Sequence, residues 1–276
     1  NFTALAERIK DADAIIFVGG ISPQLEGEEM KVDFPGFNGG DRTSILLPSI
    51  QTELMKALKS KGKPVVFVMM TGSAIAIPWE AENIPAIVNA WYGGQSAGTA
   101  LADVLFGDYN PAGRLPVTFY KSDEDLPDFN DYSMANRTYR YFKGESAYGF
   151  GFGLSYTNFT YNDLKIISPN TGNILVNVKV TNAGKKDGEE VVELYVSSQN
   201  KTMQTPIRAL KGFKRLFLKT GESKNVQFAL TQNDLSIMDD AGKPKLLPGK
   251  ILVSVGGSQP DEKTIASKKT VQGFLK

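Results

Sequence analysis

AIIFVGGISPQLEGEE, residues 14–29, joins a continuous apolar run to a glycine pair and then to a loop holding Glu26, Glu28 and Glu29 within four positions. An apolar run that does not alternate with polar residues is the pattern of a strand buried on both faces, as in a parallel sheet. Open α/β sheets place their chemistry beyond the carboxyl ends of such strands, which is where the three glutamates fall. Working outward, PVVFVMM (64–70) follows a break at Lys61-Gly62-Lys63-Pro64 and reads as a second strand. AIVNAWYGG (86–94) reads as a third and RLPVTF (114–119) as a fourth. Helical pattern lies between them. Residues 4–9 form a short amphipathic helix, and 48–60 place Ile50, Leu54, Ala57 and Leu58 on one stripe with Pro48 at the first turn. SAGTALADVLF (96–106) is a small-residue helix closed by Gly107.

From about residue 161 the period changes to two. ILVNVKVTNAG (174–184), EVVELYVSS (190–198), ALKGFKRLFL (209–218), KNVQFAL (224–230) and KILVSVGG (250–257) alternate or nearly alternate, separated by turn-formers such as Gly188, Gly221, Gly242 and Pro248. That spacing is the spacing of a β-sandwich. The predicted fold class is therefore α/β, a mostly parallel sheet flanked by helices, followed by an all-β immunoglobulin- or fibronectin III-like sandwich. The expected boundaries are 1–125 for the α/β domain and 161–276 for the sandwich. Between them, 126–160 form an aromatic, glycine-spaced connector expected to pack on the first domain, being too rich in Tyr and Phe for a solvated linker.

Composition removes several function classes. The 276-residue chain contains no histidine and no cysteine, so histidine-dependent triads, thiol chemistry and ordinary zinc or haem ligation lack their residues. Catalysis must rest on carboxylates. A net charge of +1 from 31 basic and 30 acidic residues in mixed order argues against nucleic acid or an anionic membrane surface. No apolar run is long enough to span a bilayer, and the first residues lack the basic start and apolar core of a signal peptide. Gly19-Gly20 invites a nucleotide-binding reading, but GGISPQ is not G-x-G-x-x-G, and no phosphate-loop pattern occurs. Asp128, Asn130 and Asp131 do not make a calcium loop. No cofactor and no metal are expected.

A glutamate in a loop flanked by apolar residues and by other carboxylates can have its pKa raised, which a general acid working near neutral pH requires. Spacing alone equally describes solvated surface charge. Asp41-Arg42, after Gly39-Gly40, reads as an ion pair or turn cap fixing the loop against the next helix.

The strings EGEE, GGDRTSILLPSIQ, GDYNPAGRLPVTF, NRTYRYF, YGFGFGLSYTNF and ALKGFKRLFLKTGES resemble, over nearly the whole chain, the C-terminal half of family 3 glycoside hydrolases. The resemblance implies a retaining exo-β-glycosidase acting on oligosaccharides, with an N-terminal barrel domain as intramolecular partner and the nucleophilic aspartate on that barrel. It further implies that this chain supplies only the general acid/base. Gly27-Glu28 matches the family's Gly-Glu context, which assigns Glu28, with Glu26 as the alternative. Glu29 in place of a small residue and the insertion MKVDFPGFNG depart from the pattern. Glu26, Arg42, Tyr139 and Tyr141 are the candidate substrate contacts, and Tyr139, Tyr141 and Phe142 serve equally well as apolar staples. DRTSILLPSIQ and NRTYRYF favour the β-xylosidase branch, hence xylan breakdown, over β-glucosidases. A periplasmic or secreted location follows from the resemblance alone. The rival reading is a non-catalytic carbohydrate-binding or adhesion protein, which would bind xylose or glucose without any barrel.

Overall fold

The computed structural model describes residues 2–27, 30–169, 172–200 and 205–275. Contacts divide it into two compact units: Asn1–Ala102 with Phe119–Phe129 and Gly144–Ala147, and Asp103–Thr118 with Asn130–Lys143 and Tyr148–Lys276.

In the first unit the chain runs α1 (Phe2–Arg8), β1 (Ile15–Gly20), the single turn α2 (Pro23–Glu26), three two-residue strands β2 (Asp33–Phe34), β3 (Phe37–Asn38) and β4 (Asp41–Arg42), then α3 (Ser49–Lys59), β5 (Val65–Met70), α4 (Pro78–Asn83) and β6 (Ala86–Asn89). α5 (Ala97–Phe106) follows, and the division falls along it. The three apolar runs expected as strands pair in parallel in the order β1-β5-β6, with Phe17 opposite Phe67 and Phe67 opposite Ile87. Val65, Phe67, Val68 and Met69 of β5 are buried, as a central parallel strand requires. Of the expected α3 stripe Leu58 is buried, Leu54 and Ala57 are half-buried and Ile50 is exposed; Met55, outside that stripe, is buried instead, and α3 packs on β1, β5 and α1. The small meander β2-β3-β4 is antiparallel.

RLPVTF does not form the expected fourth strand. Pro116 has no N–H for a ladder, and the neighbouring Leu115 exchanges backbone bonds with the glycine-spaced segment instead: Leu115 N–H to Phe152 O at 2.9 Å and Gly151 N–H to Leu115 O at 2.8 Å.

The second unit contains α6 (Thr138–Tyr141), then two antiparallel sheets. One has the order β11-β8-β7, formed by β7 (Phe159–Ile167), β8 (Ile174–Asn182) and β11 (Ser223–Leu230). The other is β10-β9-β14-β15, from β9 (Gly188–Ser198), β10 (Ala209–Leu218), β14 (Ile251–Gly256) and β15 (Thr270–Phe274). A hairpin of β12 (Ser236–Met238) and β13 (Pro244–Leu246) and the one-turn α7 (Glu262–Ala266) complete it. Val176, Val178 and Val180 of β8 meet Val192, Leu194 and Val196 of β9 and Val253 and Val255 of β14 in one buried cluster, which is the sandwich core. The polar alternates Asn177, Lys179 and Thr181 stay outside the core, as period two dictates.

The aromatic connector differs from expectation in where it packs. Residues 130–143 and 148–160 cluster with the sandwich rather than with the parallel sheet. Tyr139 stacks on Phe150 at 4.2 Å between ring centroids, and both meet the Tyr195 ring edge-on. The glycine spacing explains how. Gly151 sits at φ +77°, and a Cβ there would lie 2.3 Å from Glu193 Oε2, so only glycine lets this backbone lie against the carboxylate.

Two polar centres are closed inside this unit. Asn182, fully buried, uses its whole hydrogen-bonding capacity: its Oδ1 accepts from Thr157 Oγ1 at 2.6 Å and Gly184 N at 3.1 Å. Its Nδ2 donates to Lys186 O at 2.8 Å and Leu218 O at 3.1 Å. Glu190 and Glu193, 3% and 4% exposed, both feel the charge of Arg114. Arg114 pairs with Glu190 at 2.8 Å and donates through Nε to Gly257 O, while Tyr161 OH donates to Glu190 at 2.6 Å and Tyr195 OH to Glu193. Desolvation pushes both carboxyls above the ordinary glutamate range, in Glu190 against the pull of Arg114.

Because the native state holds these protons more tightly than the unfolded chain, their stabilising effect is fully present below the unfolded value of about 4.3 and is lost as pH rises through the raised native values. Glu193→Gln, which removes the charge and keeps an acceptor for Tyr195, is expected to raise the melting temperature at pH 8. That gain should shrink towards pH 4. Differential scanning calorimetry at both pH values checks it, and a gain that is constant with pH would contradict the burial argument.

Candidate active site

Beyond the carboxyl ends of β1, β5 and β6 lie Glu26, Ser73 and Tyr92 respectively. β1 ends at Gly20, whose φ is +120° and whose Cβ would sit 1.9 Å from Met70 O, so the strand can run this close to β5 only with glycine there. Gln51 of α3 grips that residue from the side: its Nε2 donates to Gly20 O and its Oε1 accepts from Gly20 N, both at 2.7 Å. The Gly20 amide that a phosphate would need is thus taken by a side chain. Ile21 N–H then bonds Met70 O, and Ser22 caps α2 by accepting from Leu25 N at 3.1 Å, with Pro23 in the first turn. Gly27 ends that turn in the left-handed region at φ +61°.

Glu26, the last residue of α2, lies half-buried beside Ser73, Tyr92 and Arg42. Ser73 Oγ donates to Glu26 Oε1 at 3.4 Å and accepts from Arg42 Nη1 at 2.8 Å. Arg42 further donates through Nη1 to Ala74 O at 3.2 Å and through Nε to Ser44 O at 3.3 Å. Its Nη2 is buried with no partner among the described residues. Desolvation lowers the Arg42 pKa, opposed by Glu26 and Asp123. Asp123 itself holds the chain just after Arg42, accepting from Ser44 Oγ at 2.7 Å and Ile45 N at 2.6 Å. Tyr92 OH donates to Ile21 O at 2.6 Å, and burial, then the Glu26 charge, push its pKa up. Trp91, before it, adopts φ +55°, a left-handed conformation costly for an aromatic residue, and lies edge-on to Phe119.

Of the residues singled out from sequence, Glu26 and Arg42 are brought together through Ser73. Glu28 and Glu29 lie outside the described residues. Tyr139 and Tyr141 belong to the second unit, where the Tyr139 hydroxyl accepts from Leu210 N at 3.2 Å and Tyr141 carries the Arg140 guanidinium over its ring. Sequence reading missed Ser73 and Tyr92. The signal was available: both follow apolar strands of the same sheet, and the rule about carboxyl ends applies to β5 and β6 as it does to β1. A depression of about 630 Å³ also opens beside Gly20 and Tyr92, but Phe17, Ile50, Leu54 and Met70 line it and none of its lining residues is charged.

A parallel sheet with a carboxylate-bearing loop at its strand ends, in a chain that also holds a fibronectin III-like sandwich, is the arrangement of the C-terminal region of a glycosidase. Residues 1–156 match the glycosyl hydrolase family 3 C-terminal domain and residues 190–259 the fibronectin type III-like domain. The chain belongs to glycoside hydrolase family 3. It is 48% identical over 257 residues to a xylan 1,4-beta-xylosidase of Xylanibacter ruminicola, covering 92% of this chain and 30% of that protein. It is 36% identical over 262 residues to a periplasmic beta-glucosidase of Salmonella typhimurium, covering 90% and 33%. Among solved structures, a family 3 beta-glucosidase of Bifidobacterium adolescentis superposes with a TM-score of 0.84 at 28% identity, over 99% of this chain and 40% of that one. The chain thus spans about a third of the length of these relatives.

Gln51→Leu removes both bonds to Gly20 and is expected to destabilise the first unit by about 2 kcal/mol, at roughly 1 kcal/mol for each bond lost. Both tryptophans of the chain, Trp79 and Trp91, lie in that unit, so urea denaturation followed by tryptophan fluorescence reads the change directly.

Proposed function

We propose that this chain is the acid/base-bearing part of a retaining exo-β-glycosidase that removes terminal β-linked xylose, or next glucose, from oligosaccharides. The observation that carries this reading is the placement of Glu26, two positions before Glu28 in the sequence, at the carboxyl ends of a parallel sheet and beside half-buried Arg42, whose buried Nη2 has no partner among the described residues. In the reaction, a carboxylate on a barrel outside this chain attacks the anomeric carbon while Glu28 gives its proton to the departing glycosidic oxygen. A glycosyl ester results. Water then attacks the same carbon, its proton passes to the Glu28 carboxylate, and the barrel carboxylate leaves.

Glu26 and Arg42 are the proposed sugar contacts from this chain, Arg42 through its Nη2, which has no partner among the described residues. Tyr139, stacked on Phe150 with its hydroxyl engaged, is assigned to packing, and Tyr141 goes with it. The xylosidase preference draws support from the strings DRTSILLPSIQ and NRTYRYF and from the similarity to the xylan 1,4-beta-xylosidase of Xylanibacter ruminicola. A periplasmic or secreted location draws support from the Salmonella typhimurium relative.

In a protein carrying both this chain and the barrel, Glu28→Ala is expected to lower kcat on aryl β-xylosides by about 10² or more. Azide should restore turnover with formation of β-xylosyl azide. Rescue at Glu26→Ala instead would move the acid to that residue. The 276-residue chain by itself should leave aryl β-xylosides and β-glucosides intact, and turnover by it alone would overturn the placement of the nucleophile elsewhere.

A further inference from the structure

The hydroxyl of Ser73 touches both ends of the segment between Glu26 and Arg42. It accepts from Arg42 Nη1 at 2.8 Å and donates to Glu26 Oε1 at 3.4 Å, so a single serine, on the turn after β5, joins the last residue of α2 to the last residue of β4. A hydroxyl has one proton to give and lone pairs to receive, and here it does both. The serine is itself held. Thr71, fully buried, accepts from Ser73 N at 3.1 Å and donates to Ser73 O at 2.7 Å, which fixes the turn from which the hydroxyl projects. Gly72 between them is needed for the same closeness, because a Cβ there would lie 2.7 Å from the Tyr92 ring and 3.4 Å from Glu26 Oε2.

We propose that Ser73 is a positioning residue of the glycosidase reaction, a clasp that closes the Glu26–Arg42 segment at its base. This rests on the reading of Glu28, within that segment, as the acid/base. A proton donor on a long loop loses effectiveness with every conformer in which it is out of reach of the glycosidic oxygen. Fixing both ends of the loop to one point removes much of that freedom, because loop-closure entropy is then met by the fold and not during the reaction. Arg42 and Glu26 are the two hooks. Asp123, holding Ser44 and Ile45, secures the chain immediately beyond the second one.

The test uses Ser73→Val and Ser73→Thr, a pair of equal volume that differs in the hydroxyl. In the 276-residue chain, hydrogen exchange of the amides of residues 30–41 should accelerate about tenfold in the valine variant while β5 and α3 remain protected, and the threonine variant should resemble the parent. Unchanged exchange in the valine variant would overturn the clasp. In a protein carrying the barrel, the valine variant should lose about tenfold in kcat on xylobiose, whose leaving group needs protonation. On 2,4-dinitrophenyl β-xyloside, whose leaving group does not, it should lose little, with KM unmoved in both cases and threonine restoring activity. Equal losses on the two substrates would refute the positioning role. Glu28→Gln serves as the reference: if it too showed no dependence on leaving group, the acid/base reading itself would have failed, whereas a dependence in Glu28→Gln alone would condemn Ser73 only.

Discussion

The closeness of β1 and β5 at Gly20 is the constraint from which the rest of the first unit follows. With 1.9 Å between a would-be Cβ and Met70 O, no other residue permits the parallel pairing to continue to the strand end, and Gln51 then clamps both polar groups of the glycine. Once that corner is fixed, Ile21 is tied to Met70, α2 is launched by its serine cap, and Glu26 arrives above the end of β5. The glycine pair that resembles a nucleotide-binding turn is therefore a packing device. The Gly20 amide is satisfied by the Gln51 side chain of α3, in keeping with the rule that buried backbone groups find partners.

Most of the architecture was legible from residue order because its signals are long. Continuous apolar runs of six residues gave β1 and β5, and β9 is buried along most of its length as the central strand of its sheet. Period two gave β8 and β11, where valines and phenylalanine alternate with lysine and asparagine. What escaped was short or punctuated. The two-residue strands β2, β3 and β4 offer no period to detect, and β7 begins inside the aromatic connector, whose glycines and tyrosines mask the alternation. RLPVTF has strand-like composition, but Pro116 removes the donor a ladder would need, and the run is drawn to Gly151 and Phe152.

The site was half legible for a similar reason. Glu26 and Arg42 stand out by charge, and their link to a common partner is a fact of topology that linear spacing cannot express. Ser73 sits forty-seven positions from Glu26 and has an ordinary residue type for a turn. Tyr92 was visible only as part of the third apolar run, AIVNAWYGG, yet its hydroxyl fixes Ile21. Tyr139 was left open between sugar contact and apolar staple; its ring stacks on Phe150 and its hydroxyl accepts from Leu210 N, contacts that residue order does not announce.

In the second unit, Asn182 has consequences beyond its own position. One amide group closes the turn at Thr157, the bend at Gly184 and Lys186, and the end of β10 at Leu218. None of these three places can open without stranding a polar atom in the dry interior, so the loosening of one raises the energy of the others' shared partner. A turn, a bend and a strand end thus share one latch, and wear at any of them is felt at the other two.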